Sequence, residues 1–288
     1  MNIDEKTRYD RQVRLWGKST QQKLRATNVL INGVASAAGE VAKNLALAGV
    51  RSIVLNDAGA LEPADFYNNF LVQGSSVGDA RGKVSSQKLK QLNPFVSVNL
   101  VDGDGGVSLD EGPSLRVTVS RIQSTSDALR EVGSPRNAAA DILLLVADLG
   151  RTTLGLFLYR KSGASLSEQL NALLFANTAA RPAAFQRALL LMRMRECQEE
   201  EHFFKRLVFA NTIVTQLGLA LLTREDVEFA AGATAAKLCS DAIDATVAGG
   251  VFAQLIIHAV GAAGEGEYAW AVSDCSGAAT VQVGGAIP

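Results

Sequence analysis

The chain has 288 residues and a mass of 30.4 kDa, enough for one large domain or two small ones. Its formal net charge of −1 gives no electrostatic reason to expect nucleic acid as a partner, and 48% hydrophobic with 20% charged residues is an ordinary globular composition. We see no secretory signal, no apolar run of ~20 residues and no CxxC pair, and therefore expect a soluble, intracellular protein that does not enter a membrane.

The first elements along the chain predict a βαβ unit. The cationic, aromatic stretch RYDRQVRLWG (8–17) precedes the first strand, which is the apolar run NVLING (28–33). The stretch ASAAGEVAKNLALAGV (35–50) has helical spacing and closes with Gly49, and RSIVLND (51–57) is a second buried strand. Strand, helix and strand within about 30 residues favour an α/β fold with a doubly wound, mostly parallel sheet.

The rest of the chain continues this sheet and then becomes helical. The stretch ALREVGSPRNAA (128–139) is expected to be a polar connection. A helix is predicted over 78–94. Further strands are predicted over 97–101, 140–148, 269–274 and 279–284, and the last two of these are expected to form a hairpin. We expect one domain, with an N-terminal helical segment (1–27), a nucleotide-fold half (28–165), a helical insertion (166–235) and a C-terminal helix and hairpin (236–288).

The turn after the first strand is the natural place for a phosphate loop. Gly33 fits the first position of a GxGxxG pattern, but Ala35 and Ala38 occupy the second and third, where side chains would crowd a phosphate. The helix N-terminus would still favour an anion, so a structural turn and a weak nucleotide loop both stay open. Asp57, about 24 residues after Gly33, is either a ribose-binding acid or a solvated aspartate at a strand end.

Taken together, three stretches resemble the ThiF-type adenylation domain of ubiquitin-like-protein activating enzymes. They are YDRQVRLWG (9–17), VLINGVASAAGEVAKNLALAGVRSIVLND (29–57) and FLVQGSSVGDARGKVSSQKLKQLNP (70–94). Near the C-terminus, DATVAGGVFAQLIIHAV (244–260) resembles the signature helix of the Aos-type accessory subunits of SUMO-activating heterodimers, whose Gly-Gly pair permits close helix packing. Against that family, 149–170 is expected to lack a strand.

The resemblance implies a ThiF/MoeB-type fold and the set of residues that active members use with ATP and magnesium. Active members adenylate the C-terminal glycine of a ubiquitin-like protein. This chain departs from their set: Ser36 and Ala38 replace glycines, Asn68 and Asn69 stand where an Arg-Gln pair belongs, and Arg81 replaces a lysine. Of the matching positions, Asp57 corresponds to the ribose acid and Asp148 lies near the magnesium position. Because fixed positive charge is lost, the chain's own pocket is expected to be inert, with no cofactor of its own.

The family resemblance gives the N-terminal arginines a different use. Arg11 matches the arginine that crosses a dimer interface and contacts ATP in the partner's pocket. In the plainer interpretation, Arg8, Arg11 and Arg14 form a solvated stripe on a surface helix. Three apolar residues, Val13, Leu15 and Trp16, are expected to pack that helix onto its own domain.

The remaining candidates are few. None of Cys197, Cys239 and Cys275 lies beside a motif that would lower its pKa, and His258 is expected to be a packed core residue of an apolar helix. The expected partners are therefore a larger subunit, carrying the ATP and magnesium site and the catalytic cysteine, and a ubiquitin-like protein, in nucleus and cytoplasm. A self-sufficient ThiF/MoeB-type enzyme, the accessory subunit for the cullin modifier and a nicotinamide-dependent oxidoreductase remain alternatives.

Overall fold

The computed structural model describes residues 3–101, 115–197, 202–233, 241–275 and 280–285. Within these residues, an eight-stranded sheet has the order β3-β2-β1-β4-β5-β6-β7-β8, parallel from β3 to β5 and antiparallel from β5 to β8. The strands are β1 (Asn28–Asn32), β2 (Ser52–Asn56), β3 (Ser97–Val101), β4 (Arg116–Ile122), β5 (Ile142–Leu149), β6 (Thr152–Tyr159), β7 (Tyr268–Asp274) and β8 (Thr280–Gly285).

Helices cover both faces of the sheet. They are α1 (Ile3–Arg8), α2 (Asp10–Leu24), α3 (Ser36–Ala48), α4 (Asp65–Asn68), α5 (Arg81–Leu92), α6 (Thr125–Gly133), α7 (Leu166–Phe175), α8 (Ala183–Met194), α9 (Phe203–Leu217), α10 (Arg224–Gly232) and α11 (Ala242–Gly261). One core forms between the sheet and α3 with α11, and another between the sheet and α6–α10. The predicted α/β, doubly wound class with helices after the sheet and a C-terminal hairpin is confirmed, whereas the four-segment division of the chain stays a prediction.

Glycines fix the geometry of the first βαβ unit. Gly49 closes α3 in the left-handed conformation (φ 82°) and donates its N–H to the carbonyls of Leu45 and Ala46. A Cβ on Gly49 would also lie 2.5 Å from the ring of Tyr9, which precedes α2. This glycine therefore ends the helix and admits the N-terminal segment against it.

Helix α11 lies unusually close to α3. A Cβ on Gly249 would come within 2.3 Å of the Cβ of Glu40 and 2.8 Å of the carbonyl oxygen of Ala37, whereas one on Gly250 would meet nothing within 4 Å. The close packing inferred for the Gly-Gly pair thus depends on Gly249. By length and apolarity α11 could span a membrane, but more than half of it is buried within this fold, as in a core helix.

Two sequence expectations for the middle of the chain are wrong, and one strand was not predicted. Residues 125–133 form helix α6, started by a capping box between Ser124 and Asp127, rather than belonging to a polar connection. The stretch 149–170, expected to lack a strand, contains β6, which Gly150 (φ 78°) turns back antiparallel to β5. Strand β4 was missed altogether, although it occupies the centre of the sheet between β1 and β5.

Candidate functional site

The carboxyl ends of β1, β2, β4 and β5 meet at one edge of the sheet. Strand order reverses there between β1 and β4, which makes this edge the crevice where open α/β sheets bind ligands. The predicted positions Gly33, Ser36, Asp57 and Asp148 all lie at this edge. The structure therefore brings these four predicted positions together, and their role as a nucleotide site stays a prediction.

The turn after β1 is tight and closed by backbone hydrogen bonds. Gly33 adopts φ 80°, and Ser36 at the start of α3 adopts φ 49°, a conformation that favours glycine. The N–H of Val34 donates to Oδ2 of Asp57 at 2.8 Å. Ala38 is fully buried in the first turn of α3, where its methyl group packs into the core. The chain itself therefore holds this turn, through the bond from Val34 to Asp57 and the packing of Ala38.

Asp57 is fully engaged by the chain itself. Nε of Arg81 donates to Oδ2 at 2.9 Å and Nη2 donates to Oδ1 at 3.2 Å, while the N–H of Gly59 donates to Oδ1 at 2.9 Å. With the bond from Val34, both carboxylate oxygens accept two hydrogen bonds each. Burial alone would raise the pKa of Asp57, but the bonds from Arg81 and Val34 outweigh it and hold the pKa below its ordinary value.

Arg81 also binds a second carboxylate, that of Asp65, and so bridges Asp57 and Asp65. Its Nη1 donates to Oδ2 of Asp65 at 3.0 Å, and the same oxygen accepts the N–H of Glu62 at 2.9 Å. The Arg81 side chain is 16% exposed and lies between the two acids. Sequence analysis identified Arg81 as the residue in place of a phosphate-binding lysine, but did not identify Asp65, which lies 16 residues earlier and has no recognisable motif.

The two asparagines in place of the Arg-Gln pair have separate surroundings. Asn69 is buried, donates to the carbonyl of Val34 at 2.7 Å and accepts the N–H of Leu71 at 3.0 Å, so it ties the 3₁₀ turn Phe70–Val72 to the loop after β1. Asn68 is also buried and lines a cleft of about 240 Å³ between α3, α4 and α11. Neither side chain carries charge.

The magnesium candidate is part of another internal network. Oγ of Ser36 donates to Oδ1 of Asp148 at 3.1 Å, and Nε of Arg121 lies 3.5 Å from Oδ2. The stem of Arg121 crosses the turn, since its Cβ is 3.3 Å from where a Cβ on Gly33 would lie. Burial raises the pKa of Asp148 above its ordinary value and outweighs the nearby guanidinium. Among the described residues, no group of three or more metal-ligating side chains is found.

Amide side chains at the ends of β1 and β2 form a further hydrogen-bond network at this edge of the sheet. The amide of Asn32 donates to Oγ of Ser120 at 2.9 Å and to Oδ1 of Asn137 at 3.5 Å, and Asn56 donates to Oδ1 of Asn32 at 3.2 Å. Arg121, Ser120 and Asn137 were all missed from sequence. A signal for the first two existed, because RVTVSRI alternates apolar and polar residues as a half-buried strand does.

The N-terminal helix is attached far from this edge, by one stripe of side chains. Tyr9 is buried and its hydroxyl accepts a hydrogen bond from Asn93 at 2.7 Å. Gln12 donates to the carbonyl of Leu47 at 3.0 Å, and the half-buried Trp16 packs on the core and donates its indole N–H to Gln21 at 2.9 Å. These contacts lie at the C-terminal end of α3, and Leu47 is about 16 Å along the helix from Ser36.

The opposite stripe of α2 faces solvent. Arg11 is exposed and, among the described residues, makes no hydrogen bond or ion pair. Arg14 pairs with Asp10 at 2.8 Å on the surface, and Arg8 donates to the carbonyl of Leu92. The expectation that Leu15 packs onto the domain is wrong: its side chain is 75% exposed. Tyr9, Gln12, Val13 and Trp16 have the i, i+3, i+4, i+7 spacing, so Leu15 falls on the other face of the helix.

The reactive side chains elsewhere are ordinary. Cys197 and Cys275 are buried, and burial raises the pKa of the Cys275 thiol, while Cys239 lies outside the described residues. The expectation that His258 is a packed core residue is wrong. It lies on the exposed face of α11, with its ring 6.2 Å from that of Tyr268.

Comparison with known proteins confirms the resemblance for the first part of the chain. The ThiF family model matches residues 9–127. SUMO-activating enzyme subunit 1 of Rattus norvegicus is 42% identical over 97 residues, and that of Homo sapiens 41% over 97 residues; each match covers 34% of this chain and 28% of that protein. The NEDD8-activating enzyme E1 regulatory subunit of Caenorhabditis elegans is 43% identical over 95 residues, 33% of this chain and 18% of that protein. The matched region spans less than a third of these relatives.

Solved structures show the same fold over nearly the whole chain. The crystal structure of PaaA superposes with a TM-score of 0.62 at 11% identity, covering 99% of this chain and 74% of that one. Escherichia coli MccB with succinimide gives a TM-score of 0.60 at 14% identity, covering 96% of this chain and 71% of that one. The ThiF/MoeB-type adenylation fold is thus confirmed.

Removing Arg81 should destabilise the protein strongly. Arg81→Met leaves Asp57 and Asp65 buried without their cation, and we expect unfolding free energy to fall by about 3 kcal/mol. Urea unfolding followed by circular dichroism measures this change. Arg130→Met is the matched control, because Arg130 forms an exposed pair with Asp127 and its loss should cost about 0.5 kcal/mol or less. Equal effects of the two substitutions would contradict the assigned role of Arg81.

The stabilising effect of Asp57 should depend on pH. Its pKa is lowered in the folded state, so its contribution is complete above the unfolded pKa of about 4 and is lost as the pH falls through the folded pKa. We expect Asp57→Asn to be less stable than the parent at pH 7, with the difference in urea midpoint narrowing below pH 4.

Asp148 provides a control, because the effect of its ionisation on the free energy of unfolding should have the opposite sign to that of Asp57. Because its folded pKa is raised, its ionisation opposes folding at neutral pH and ceases to do so as the pH falls below the unfolded pKa. Asp148→Asn should therefore be more stable than the parent at pH 7, with the gain shrinking on acidification. Parallel pH curves for both variants would show that neither carboxyl has the ionisation behaviour described.

Proposed function

We propose that this chain is the adenylation-inert accessory subunit of a heterodimeric activating enzyme for a ubiquitin-like modifier, most directly SUMO. In this proposal it completes the ATP site of a larger subunit with Arg11. The observation that supports this proposal is the difference between the charged residues at the nucleotide edge and Arg11. The charged groups at the nucleotide edge are bound to one another, whereas Arg11 is held outward on a helix anchored elsewhere.

The residues at the nucleotide edge do not fit ATP and magnesium. A ribose would have to displace Arg81 from Asp57, whose two oxygens already accept four hydrogen bonds. A magnesium ion at Asp148 would compete with Arg121 and Ser36, and the guanidinium would repel it. Asn68 and Asn69 provide no positive charge for a developing phosphate charge. We therefore derive no step of adenylation on this chain.

Arg11 has the chemistry and the position for an interaction in trans. A guanidinium donates paired hydrogen bonds to phosphate oxygens and keeps its charge in a dry interface. Helix α2 is fixed near the C-terminal end of α3, roughly 16 Å along that helix from the chain's own phosphate turn. Arg11 is thus exposed at a distance from its own edge and is available to the phosphates bound by another chain.

The partners follow from the same proposal. A larger subunit would hold ATP, magnesium and the catalytic cysteine, since Cys197 and Cys275 are buried here. The ubiquitin-like protein would be SUMO or the cullin modifier NEDD8, because a subunit of the activating enzyme for each is similar to about a third of this chain. The complex would act in nucleus and cytoplasm.

ATP–pyrophosphate exchange tests the assignment directly. The purified chain with SUMO, or with NEDD8, should show no exchange, and exchange should appear when the chain is reconstituted with the larger subunit of the matching activating enzyme. Exchange by the chain alone would instead establish a self-sufficient ThiF/MoeB-type enzyme. Failure of every larger subunit to bind the chain would overturn the accessory role.

A further inference from the structure

We propose that Leu15 is the apolar anchor by which the exposed face of α2 docks on the nucleotide-holding subunit, beside the phosphates that Arg11 reaches. The inference rests on the proposed function and adds a division of labour to it. Leu15 supplies affinity between the subunits, and Arg11 supplies charge to the reaction.

Gly17 (φ 87°) kinks α2, and the part of the helix before this kink presents these side chains in a fixed direction. Arg11, Arg14 and Leu15 have i, i+3, i+4 spacing and share one face, opposite the stripe that attaches the helix to the domain. The attachment is specific, because the hydroxyl of Tyr9 accepts a hydrogen bond from Asn93 and the amide of Gln12 donates one to the carbonyl of Leu47. Since the helix cannot roll without breaking these bonds, Leu15 cannot turn inward to the core.

The exposure of Leu15 is unusual for its surroundings. It is 75% exposed one helical turn after Arg11, on a helix whose aromatic and apolar residues otherwise face the domain. Binding that covers such a side chain removes apolar surface from water, and central apolar anchors ringed by polar groups are typical of protein interfaces. The residue is thus placed to contribute affinity while adding nothing to the fold of this chain.

Charge identifies the occupant of this face. A surface that sets a leucine beside an arginine complements an apolar pocket at the rim of a cleft that holds phosphate, and a subunit with a bound nucleoside triphosphate has such a cleft. Asp10 neutralises Arg14 through an ion pair at 2.8 Å, whereas Arg11, one turn before Leu15, makes no ion pair among the described residues. The face therefore presents Arg11 to phosphate and Leu15 to the pocket wall.

Separate measurements of binding and catalysis test the proposal. Leu15→Ala, Arg11→Ala and the matched control Leu129→Ala, whose leucine is 42% exposed on α6, are each titrated with the larger subunit by isothermal calorimetry and assayed for exchange at saturating subunit. We expect Leu15→Ala to weaken the dissociation constant by about tenfold or more, with exchange restored at saturation. Arg11→Ala should change the dissociation constant by less than about threefold and lower exchange, and Leu129→Ala should change neither.

The outcomes separate this inference from the proposed function. If Leu15→Ala binds within about twofold of the parent while Arg11→Ala still loses exchange, the anchor is wrong and the accessory role stands. If Leu15→Ala loses exchange even at saturating subunit, the division of labour is wrong. Circular dichroism and melting temperature verify that the exposed substitution leaves the fold unchanged.

Discussion

Replacing Arg11 with alanine should slow ATP–pyrophosphate exchange by the reconstituted heterodimer by about a hundredfold or more. An arginine supplied in trans to a nucleotide stabilises charge that develops on the phosphates, and such groups are worth about 10³–10⁵ in rate in phosphoryl transfer. Because Arg11 is exposed and unpaired among the described residues, the melting temperature of this chain should not change. Exchange of labelled pyrophosphate at saturating subunit and ATP measures the effect.

Arg14 is the matched control for Arg11. It lies on the same exposed face three residues later, but its guanidinium is paired with Asp10. Arg14→Ala should therefore alter exchange by less than about threefold. Arg11→Lys should fall between the parent and Arg11→Ala, since an ammonium keeps the charge but not the paired hydrogen bonds. An unchanged rate in Arg11→Ala would refute the role in trans.

Replacing Gly249 with valine should have the largest effect on stability. The first added carbon would lie 2.3 Å from the Cβ of Glu40 and 2.8 Å from the carbonyl oxygen of Ala37, so α11 and α3 must separate along the buried interface they share. Overpacking of a core costs about 1–3 kcal/mol, and a contact with backbone, which cannot rotate away, belongs at the upper end. We expect a loss of about 3 kcal/mol or more in urea unfolding.

The neighbouring glycine provides the control for this experiment. A Cβ on Gly250 would meet nothing within 4 Å, so alanine fits there without strain. Gly250→Ala should stabilise α11 by about 0.5–1 kcal/mol, because glycine is a poor helix former. If the two glycines tolerated substitution equally, the close approach of α11 to α3 would be contradicted.

Where the candidate site lies could be read from the sequence, but its internal bonding could not. The spacing from Gly33 to Asp57 identified the turn and the acid at the end of β2, since a βαβ unit brings these positions to one edge. The direction of Arg81 depended on Asp65 and Asp57, which lie at the start of α4 and just after the end of β2. No local pattern indicates which of several acids an arginine on α5 will reach.

Strands β4 and β6 show a different kind of error. Both strands have a recognisable pattern, an alternation of apolar and polar residues in β4 and an apolar run in β6. They were missed because β4 carries arginines at 116 and 121 and because β6 follows β5 after only a short turn. With β4 missed, Arg121 could not be placed over Gly33, nor Ser120 beside Asn32. Because this one strand was missed, Arg121 and Ser120 were absent from the predicted site.

By itself, the sequence determined the βαβ start, the mostly parallel class of the sheet and the motif that carries Arg11, because periodicity, glycine placement and spacing act over a few residues. Tertiary structure decided that Asp57 and Asp148 face the chain's own arginines, that Leu15 points to solvent and that only Gly249 of its pair lies in close contact. These outcomes depend on which side chains meet across elements distant in sequence. Close packing and the high cost of unpaired buried charge select one such arrangement only once the whole sheet and its helices are assembled.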